Sequence, residues 1–236
     1  QLKAIARVGI GMDNVDVVAA GKAGIKISNT PAGPTDAVAE MTLAAALTLS
    51  RNILPANTAL HQKQWQKSIG LGLKNMNVLF IGYGRIGRKT AELFRVLGAR
   101  IMVCDPVVRM NDLKSGEELV ELKDGLKLAN IITLHAGGNH PILSSEQFQH
   151  MKDGVIILNS ARGTLIDEDA LITALDSGKV ASTWLDVFPE EPYKGRLTGY
   201  EQVLLTPHIS TYTIQCRRDM EMAAVKNLLC DLGIDL

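Results

Sequence analysis

The 236-residue chain is poor in aromatics, with Phe, Trp and Tyr making up 4 % together, and it has only three cysteines and no net charge. Cys104, Cys216 and Cys230 are odd in number and form no CxxC pair. That excludes a disulfide framework and leaves each as a small buried hydrophobe. Twenty-five Lys and Arg balance twenty-five Asp and Glu, so neither the basic excess of a nucleic-acid binder nor the acidic excess of a solvated tail is present. The longest apolar run, around 41–49, falls far short of the ~20 residues of a membrane span. No charged stretch followed by an apolar one opens the chain, so no secretion signal is read. What is present, 46 % hydrophobic and 21 % charged residues, is the composition of a globular protein. The expectation is a cytoplasmic protein that binds neither nucleic acid nor membrane.

Short apolar runs alternate with longer helical patterns. Residues 25–28, 77–81, 100–104, 131–135, 155–159, 181–185 and 203–206 read as strands. Most are continuously apolar, as in strands covered on both faces. Residues 35–51, with Thr35 as candidate N-cap, 85–97 ending at Gly98, and 167–176 closed by Gly178 read as helices. A last helical pattern, 213–232, leaves the sheet. The alternation predicts an α/β fold, a doubly wound parallel sheet of the Rossmann kind rather than a barrel.

The segment 77–106 carries the most information. A strand, 77–81, runs into Gly82-Tyr-Gly84-Arg-Ile-Gly87, a GxGxxG turn opening a helix. Gly82 permits the tight turn, Gly84 lets the backbone approach a pyrophosphate, and Gly87 lets the helix pack close to the strand. The diphosphate then rests on the free N–H groups at the helix N-terminus. Asp105, 18 residues after Gly87 and at the end of the next strand, is placed to accept hydrogen bonds from the adenosine ribose. Its charge repels a 2′-phosphate, which favours NAD over NADP.

Three residues beyond later strands suit a hydride-transfer site. Arg162 follows the strand 155–159, Glu191 lies in the loop after 181–185, and His208 follows 203–206. Residues past the carboxyl ends of strands in an open α/β sheet face the ligand crevice. An arginine there grips a carboxylate bidentately, and a histidine exchanges protons near neutral pH. Together they support acid–base chemistry on a carboxylate-bearing substrate.

The stretches 7–16 (RVGIGMDNVD), 82–87, 159–171 (NSARGTLIDEDAL), 185–192 (LDVFPEEP) and 204–210 (LLTPHIS) resemble the D-isomer-specific 2-hydroxyacid dehydrogenases, with phosphoglycerate dehydrogenase a close relative. The resemblance runs in order over almost the whole chain. It implies that His208 is the acid/base paired with Glu191, and that Arg162 binds the carboxylate and carbonyl of a small 2-oxo acid. It also implies that Asp186 borders the nicotinamide, that Arg85 and Ile86 lie against the pyrophosphate, and that Pro106, His135, Ala136, Ser160, Arg162, His208 and Ser210 contact the NAD cofactor. No metal is implied. S-adenosylhomocysteine hydrolase-like and alanine dehydrogenase-like chains share the glycine turn but not the rest of the series.

The same resemblance implies the domain plan. Residues 32–211 form the NAD-binding domain, and 1–31 with 212–236 form a partial flavodoxin-like substrate domain, to which the C-terminal helix returns. About seventy residues of that domain, roughly half a small domain, are expected to precede residue 1. The arm 53–74, with Trp65, resembles the segment through which the family forms homodimers. Pro34 stands where relatives have a substrate-contacting Asn, and His135-Ala-Gly-Gly-Asn139 replaces the family's His-x-Pro-Leu-Thr. A different class of function remains open beside the enzyme: a non-catalytic NAD(H)-binding regulatory or scaffold module, which NADH turnover tells apart.

Overall fold

Continuously apolar strands fit only a sheet covered on both faces, and a computed structural model, which describes residues 2–234, contains such a sheet. Gln1, Asp235 and Leu236, the outer ends of the segments assigned above to a substrate domain, lie outside the described residues. In chain order the elements are β1 (Ala4–Arg7), α1 (Val17–Lys22), β2 (Lys26–Asn29), α2 (Pro34–Ser50), α3 (Ile53–His61), β3 (Asn77–Ile81), α4 (Arg85–Val96), β4 (Arg100–Cys104) and β5 (Glu117–Leu119). Then come α5 (Leu122–Leu128), β6 (Ile131–Leu134), α6 (Ser145–His150), β7 (Val155–Asn159), α7 (Glu168–Asp176), β8 (Val180–Leu185), β9 (Val203–Leu205) and α8 (Ile214–Leu232).

The chain divides into two compact units. One gathers the residues up to Val38 and from Ser210 onward; the other is Ala39–Ile209. In the first, β1 and β2 pair in parallel, Ala4 opposite Lys26. Ala37, Cys216 and Met220 are buried together with Val8 against them, and Asn227 Nδ2 of α8 donates to Asn29 O at 2.9 Å.

The second unit holds a seven-stranded sheet in the order β5-β4-β3-β6-β7-β8-β9, with every pair parallel. Alternate residues of each strand feed two cores. Leu79, Ile81, Ile132 and Leu134 pack with Leu126, Phe148 and Leu171 of α5, α6 and α7. Val78, Phe80, Ile131 and Trp184 pack with Ala45 and Ala46 of α2 and Ala91 and Phe94 of α4. This is the doubly wound arrangement, and its order reverses between β3 and β6, the point where such sheets open a ligand crevice.

Three differences from the sequence reading have physical causes. The helix 35–51 begins at Pro34 instead, because proline's fixed φ and missing N–H cost nothing at a first helical position; Thr35 is therefore inside the helix and not its N-cap. β1, β5, α1, α3, α5 and α6 are absent from that reading. All but α3 are seven residues or fewer, too short for an apolar period to register, and α3, in the arm 53–74, buries none of its nine residues and so has no core face to show. The remaining boundaries move by a residue or two, as element ends do.

Candidate active site

The turn between β3 and α4 is shaped by its glycines. Gly82 has φ +93°, and a Cβ there would stand 2.5 Å from Ala136 N, on the neighbouring strand end. Gly87 is just as confined, since its Cβ would come within 2.5 Å of Gly82 O. Gly84 differs: a Cβ there would meet nothing within 4 Å. The space before the first turn of α4 is thus open, no side chain caps the helix, and its first turn has no acidic residue. A pyrophosphate fits this cradle, bound by backbone N–H groups at the positive end of the helix. Arg85 is exposed there and Ile86 half-buried.

Asp105 stands at the end of β4 with its carboxylate oriented by amides. Oδ2 accepts from Tyr83 N at 2.7 Å, and Oδ1 from Val107 N at 2.9 Å and Val108 N at 3.3 Å. The first of these ties it to the glycine turn, so the two elements the sequence reading assigns to ribose and phosphate form one piece. Tyr83, buried, donates its hydroxyl to Glu117 on β5; burial first and Glu117 second push its phenol far up. Pro106, next in the chain, is exposed.

The other candidates stand beyond β7, β8 and β9, which are neighbours in register, Asn159 opposite Leu185 and Leu185 opposite Leu205. Three strand ends therefore bring Arg162, Asp186, Glu191 and His208 to one edge of the sheet. Asp186 is fully buried, and its Oδ1 accepts from Thr206 Oγ1 at 2.6 Å and from Ile209 N at 2.9 Å. Trp184 Nε1 in turn donates to Thr206 Oγ1 at 2.9 Å. These bonds grip the chain on both sides of His208, whose φ of +53° is costly for a residue with a Cβ and persists only where the surroundings impose it.

His208 Nδ1 lies 2.9 Å from Glu191 Oε2. A carboxylate only accepts, so Nδ1 carries the proton in this bond and Nε2 is the nitrogen left to exchange one with a ligand. The side chains are 54 % and 39 % exposed, so the pair is reachable from solvent. Glu191 Oε1 accepts from Phe188 N at 3.1 Å. Arg162, half-buried, donates from Nη1 to Ala161 O at 2.7 Å.

Sequence reasoning missed the residues that hold these side chains. Asn159 is buried and donates from Nδ2 to Arg162 O at 2.9 Å while its Oδ1 accepts from Ala161 N at 3.0 Å. Gly163 is more confined than any glycine of the GxGxxG turn, since a Cβ would fall 2.0 Å from Phe188 C. It lets the Arg162 loop lie directly against the loop carrying Glu191. An Asn ending an apolar strand and a Gly following an Arg were the available signals.

The remaining candidates are distributed around this edge. His135 and Ala136 follow β6 beside Gly82. The His135 ring stacks on Phe80 with centroids 5.9 Å apart, and burial pushes its pKa down to about 3. Ser160 Oγ lies 3.5 Å from Thr42 Oγ1, and Ser210, just past the second unit, is buried. Among the described residues no group of three or more His, Cys, Asp and Glu is placed to hold a metal ion, and no helix is long and apolar enough to cross a membrane.

Residues 43–210 match the family model described as D-isomer specific 2-hydroxyacid dehydrogenase, NAD binding domain. The chain is 37 % identical over 242 residues to the hydroxypyruvate reductase of Thermotoga maritima, a match covering 99 % of this chain and 78 % of that protein. It is 34 % identical over 236 residues to the D-3-phosphoglycerate dehydrogenase of Archaeoglobus fulgidus, covering 97 % of this chain but 45 % of that one. A solved glyoxylate reductase from Paecilomyes thermophila superimposes with a TM-score of 0.90 at 34 % identity, over 99 % of this chain and 74 % of the other.

Proposed function

The chain belongs to the D-isomer specific 2-hydroxyacid dehydrogenases, NAD-dependent oxidoreductases acting on CH–OH groups, and on that premise we propose that it interconverts a small D-2-hydroxy acid and its 2-oxo acid. The observation carrying this reading is the His208–Glu191 pair, 2.9 Å apart and open to solvent, at the same sheet edge as Arg162. Gly82, Gly84, Arg85, Ile86 and Gly87 hold the pyrophosphate, Asp105 and Pro106 the adenosine, and His135, Ala136, Ser160, Arg162, Asp186 and His208 border the rest of the dinucleotide. When bound, the nicotinamide supplies hydride to C2 of the oxo acid or takes it from the hydroxy acid.

In reduction, protonated His208 donates from Nε2 to the oxygen that gains charge, and in oxidation the neutral ring takes that proton back. Glu191, bonded to Nδ1, fixes the ring's orientation and stabilises the imidazolium. Arg162 grips the substrate carboxylate and aligns the carbonyl, stabilising its charge in the transition state. The similarity to proteins named hydroxypyruvate reductase and glyoxylate reductase supports those two acids as the first to try. We read the first unit as part of the family's substrate domain, and we place the activity in the cytoplasm, which cell fractionation with an NADH-oxidation assay checks. We further propose that two copies pair through the arm 53–74.

The test is NADH oxidation against glyoxylate, hydroxypyruvate, pyruvate, 2-oxoglutarate and phosphohydroxypyruvate. At least one supports turnover, His208→Gln lowers kcat by roughly 10²–10⁴-fold, and Arg162→Ala lowers kcat/KM for the acid by more than it weakens NADH. Absence of turnover with every acid, alongside NADH binding seen by fluorescence, means that the dinucleotide half is intact but this chain lacks a working cleft, and favours the non-catalytic NAD(H)-binding module for the chain as it stands.

A further inference from the structure

The loop carrying Glu191 is closed by a ring contact and anchored by a hydroxyl. Tyr193 stacks on Phe188, with centroids 4.4 Å apart and planes at 19°, so the two ends of the segment 188–193 are held together with Glu191 between them. Within the loop the Phe188 amide donates to Glu191 Oε1 at 3.1 Å. That leaves Oε2 facing His208 Nδ1. The orientation of the carboxylate thus depends on where the Phe188 amide stands.

That amide is placed by what Phe188 touches. On one flank Gly163 admits the Arg162 loop against the Phe188 backbone. On the other, the Tyr193 hydroxyl donates to Glu168 Oε1 at 2.9 Å, in the first turn of α7, and accepts from Leu197 N at 3.2 Å. Gly195 makes the room for this, since a Cβ there would stand 2.3 Å from the hydroxyl oxygen. A phenylalanine would stack equally well; only the hydroxyl reaches α7. Burial pushes the phenol up to about 12, against the pull of the Leu197 amide and with Glu168 adding to the rise. The group therefore keeps its proton, and stays a donor, near neutral pH.

We propose that Tyr193 is a positioning residue for the acid–base pair, fastening the Glu191 loop to α7 through Glu168 so that the carboxylate meets the imidazole. The proposal rests on the reading of His208 and Glu191 as the proton-transfer pair, and it adds a residue that touches neither substrate nor cofactor. A tie that orients Glu191 acts on the chemical step and not on dinucleotide affinity.

The experiment uses Tyr193→Phe, which keeps the stack, with Glu191→Gln and the double variant. Amide exchange by mass spectrometry reports the segment 186–193 directly, without reference to activity. It is expected to speed up in Tyr193→Phe, together with the Leu197 amide that the hydroxyl holds, while the rest of the chain is unchanged. Steady-state kinetics should show kcat down about three- to tenfold with KM for NADH unmoved, and no further loss when Tyr193→Phe is added to Glu191→Gln. Unchanged exchange overturns the proposal, and so does a kinetic loss that adds in full to that of Glu191→Gln. Faster exchange in a protein that turns over no 2-oxo acid keeps the anchor and overturns the dehydrogenase reading instead.

Discussion

At the scale of single residues, the site combines groups kept in contact with water and groups taken out of it. His208 and Glu191 are exposed, whereas His135, a few strands away, is held neutral. Its ring stacks on Phe80, Thr133 Oγ1 lies 2.9 Å from Nε2, and burial holds the pKa at about 3. Between pH 6.5 and 3 the unfolded chain binds a proton here that the native ring refuses. The stability tied to His135 is therefore present above pH 6.5 and lost as pH falls through that window, at up to about 1.4 kcal/mol per pH unit. His135→Gln should flatten the dependence. Urea denaturation at pH 7, 6, 5 and 4 checks this, and equal slopes in both proteins would remove His135 from the account.

At the scale of elements, β3, its glycine turn and α4 form a device in which each glycine is used differently. Gly87→Ala sets a Cβ 2.5 Å from Gly82 O, backbone against backbone, so α4 must move off the strand at a cost of about 1–3 kcal/mol. Gly84→Ala meets nothing and, as a Gly-to-Ala change at the N-cap of α4, should cost only about 0.5–1 kcal/mol of stability. Both should weaken NADH if, as proposed, the pyrophosphate backs onto the chain in the open space at Gly84. Paired urea and NADH-fluorescence titrations separate the two, and a Gly84→Ala protein that binds NADH normally would argue against the cradle. This turn was legible in the sequence because its mechanics are local: strand, three glycines, helix and an answering Asp within thirty residues. Arg162, Glu191 and His208 were legible because each follows a strand. The bracing by Asn159, Gly163, Thr206 and Tyr193 was not, since it depends on which loops touch across β7, β8 and β9. The short edge strand β5 escaped for a related reason: its charged residues give it no apolar signature, and it forms because β4 is there to pair with.

At the scale of the whole molecule, the arm 53–74 is largely exposed up to its end, where Leu73 is buried in the second core. α3 is nine residues long and buries none of them, and isolated helices shorter than ~12–15 residues are marginal in water. The arm's apolar side chains point the same way, with Trp65 79 % and Ile69 99 % exposed, and Ile53, Leu60 and Leu71 about half exposed or more. Scattered single hydrophobes need no explanation, but six on one arm, with Leu54 the sixth, are the kind of exposure that marks an interface. Identical chains satisfy it most simply by pairing about a two-fold axis, each arm covered by the other copy. The expected result in analytical ultracentrifugation is a species of twice 25.5 kDa at micromolar concentration. Trp65→Ser combined with Ile69→Ser should shift it to the monomer, lower the melting temperature, and leave NADH binding in place, because the glycine turn and Asp105 are built by strands β3 and β4. A wild-type chain that sediments as a monomer at tens of micromolar would instead leave the arm to be covered by a different partner.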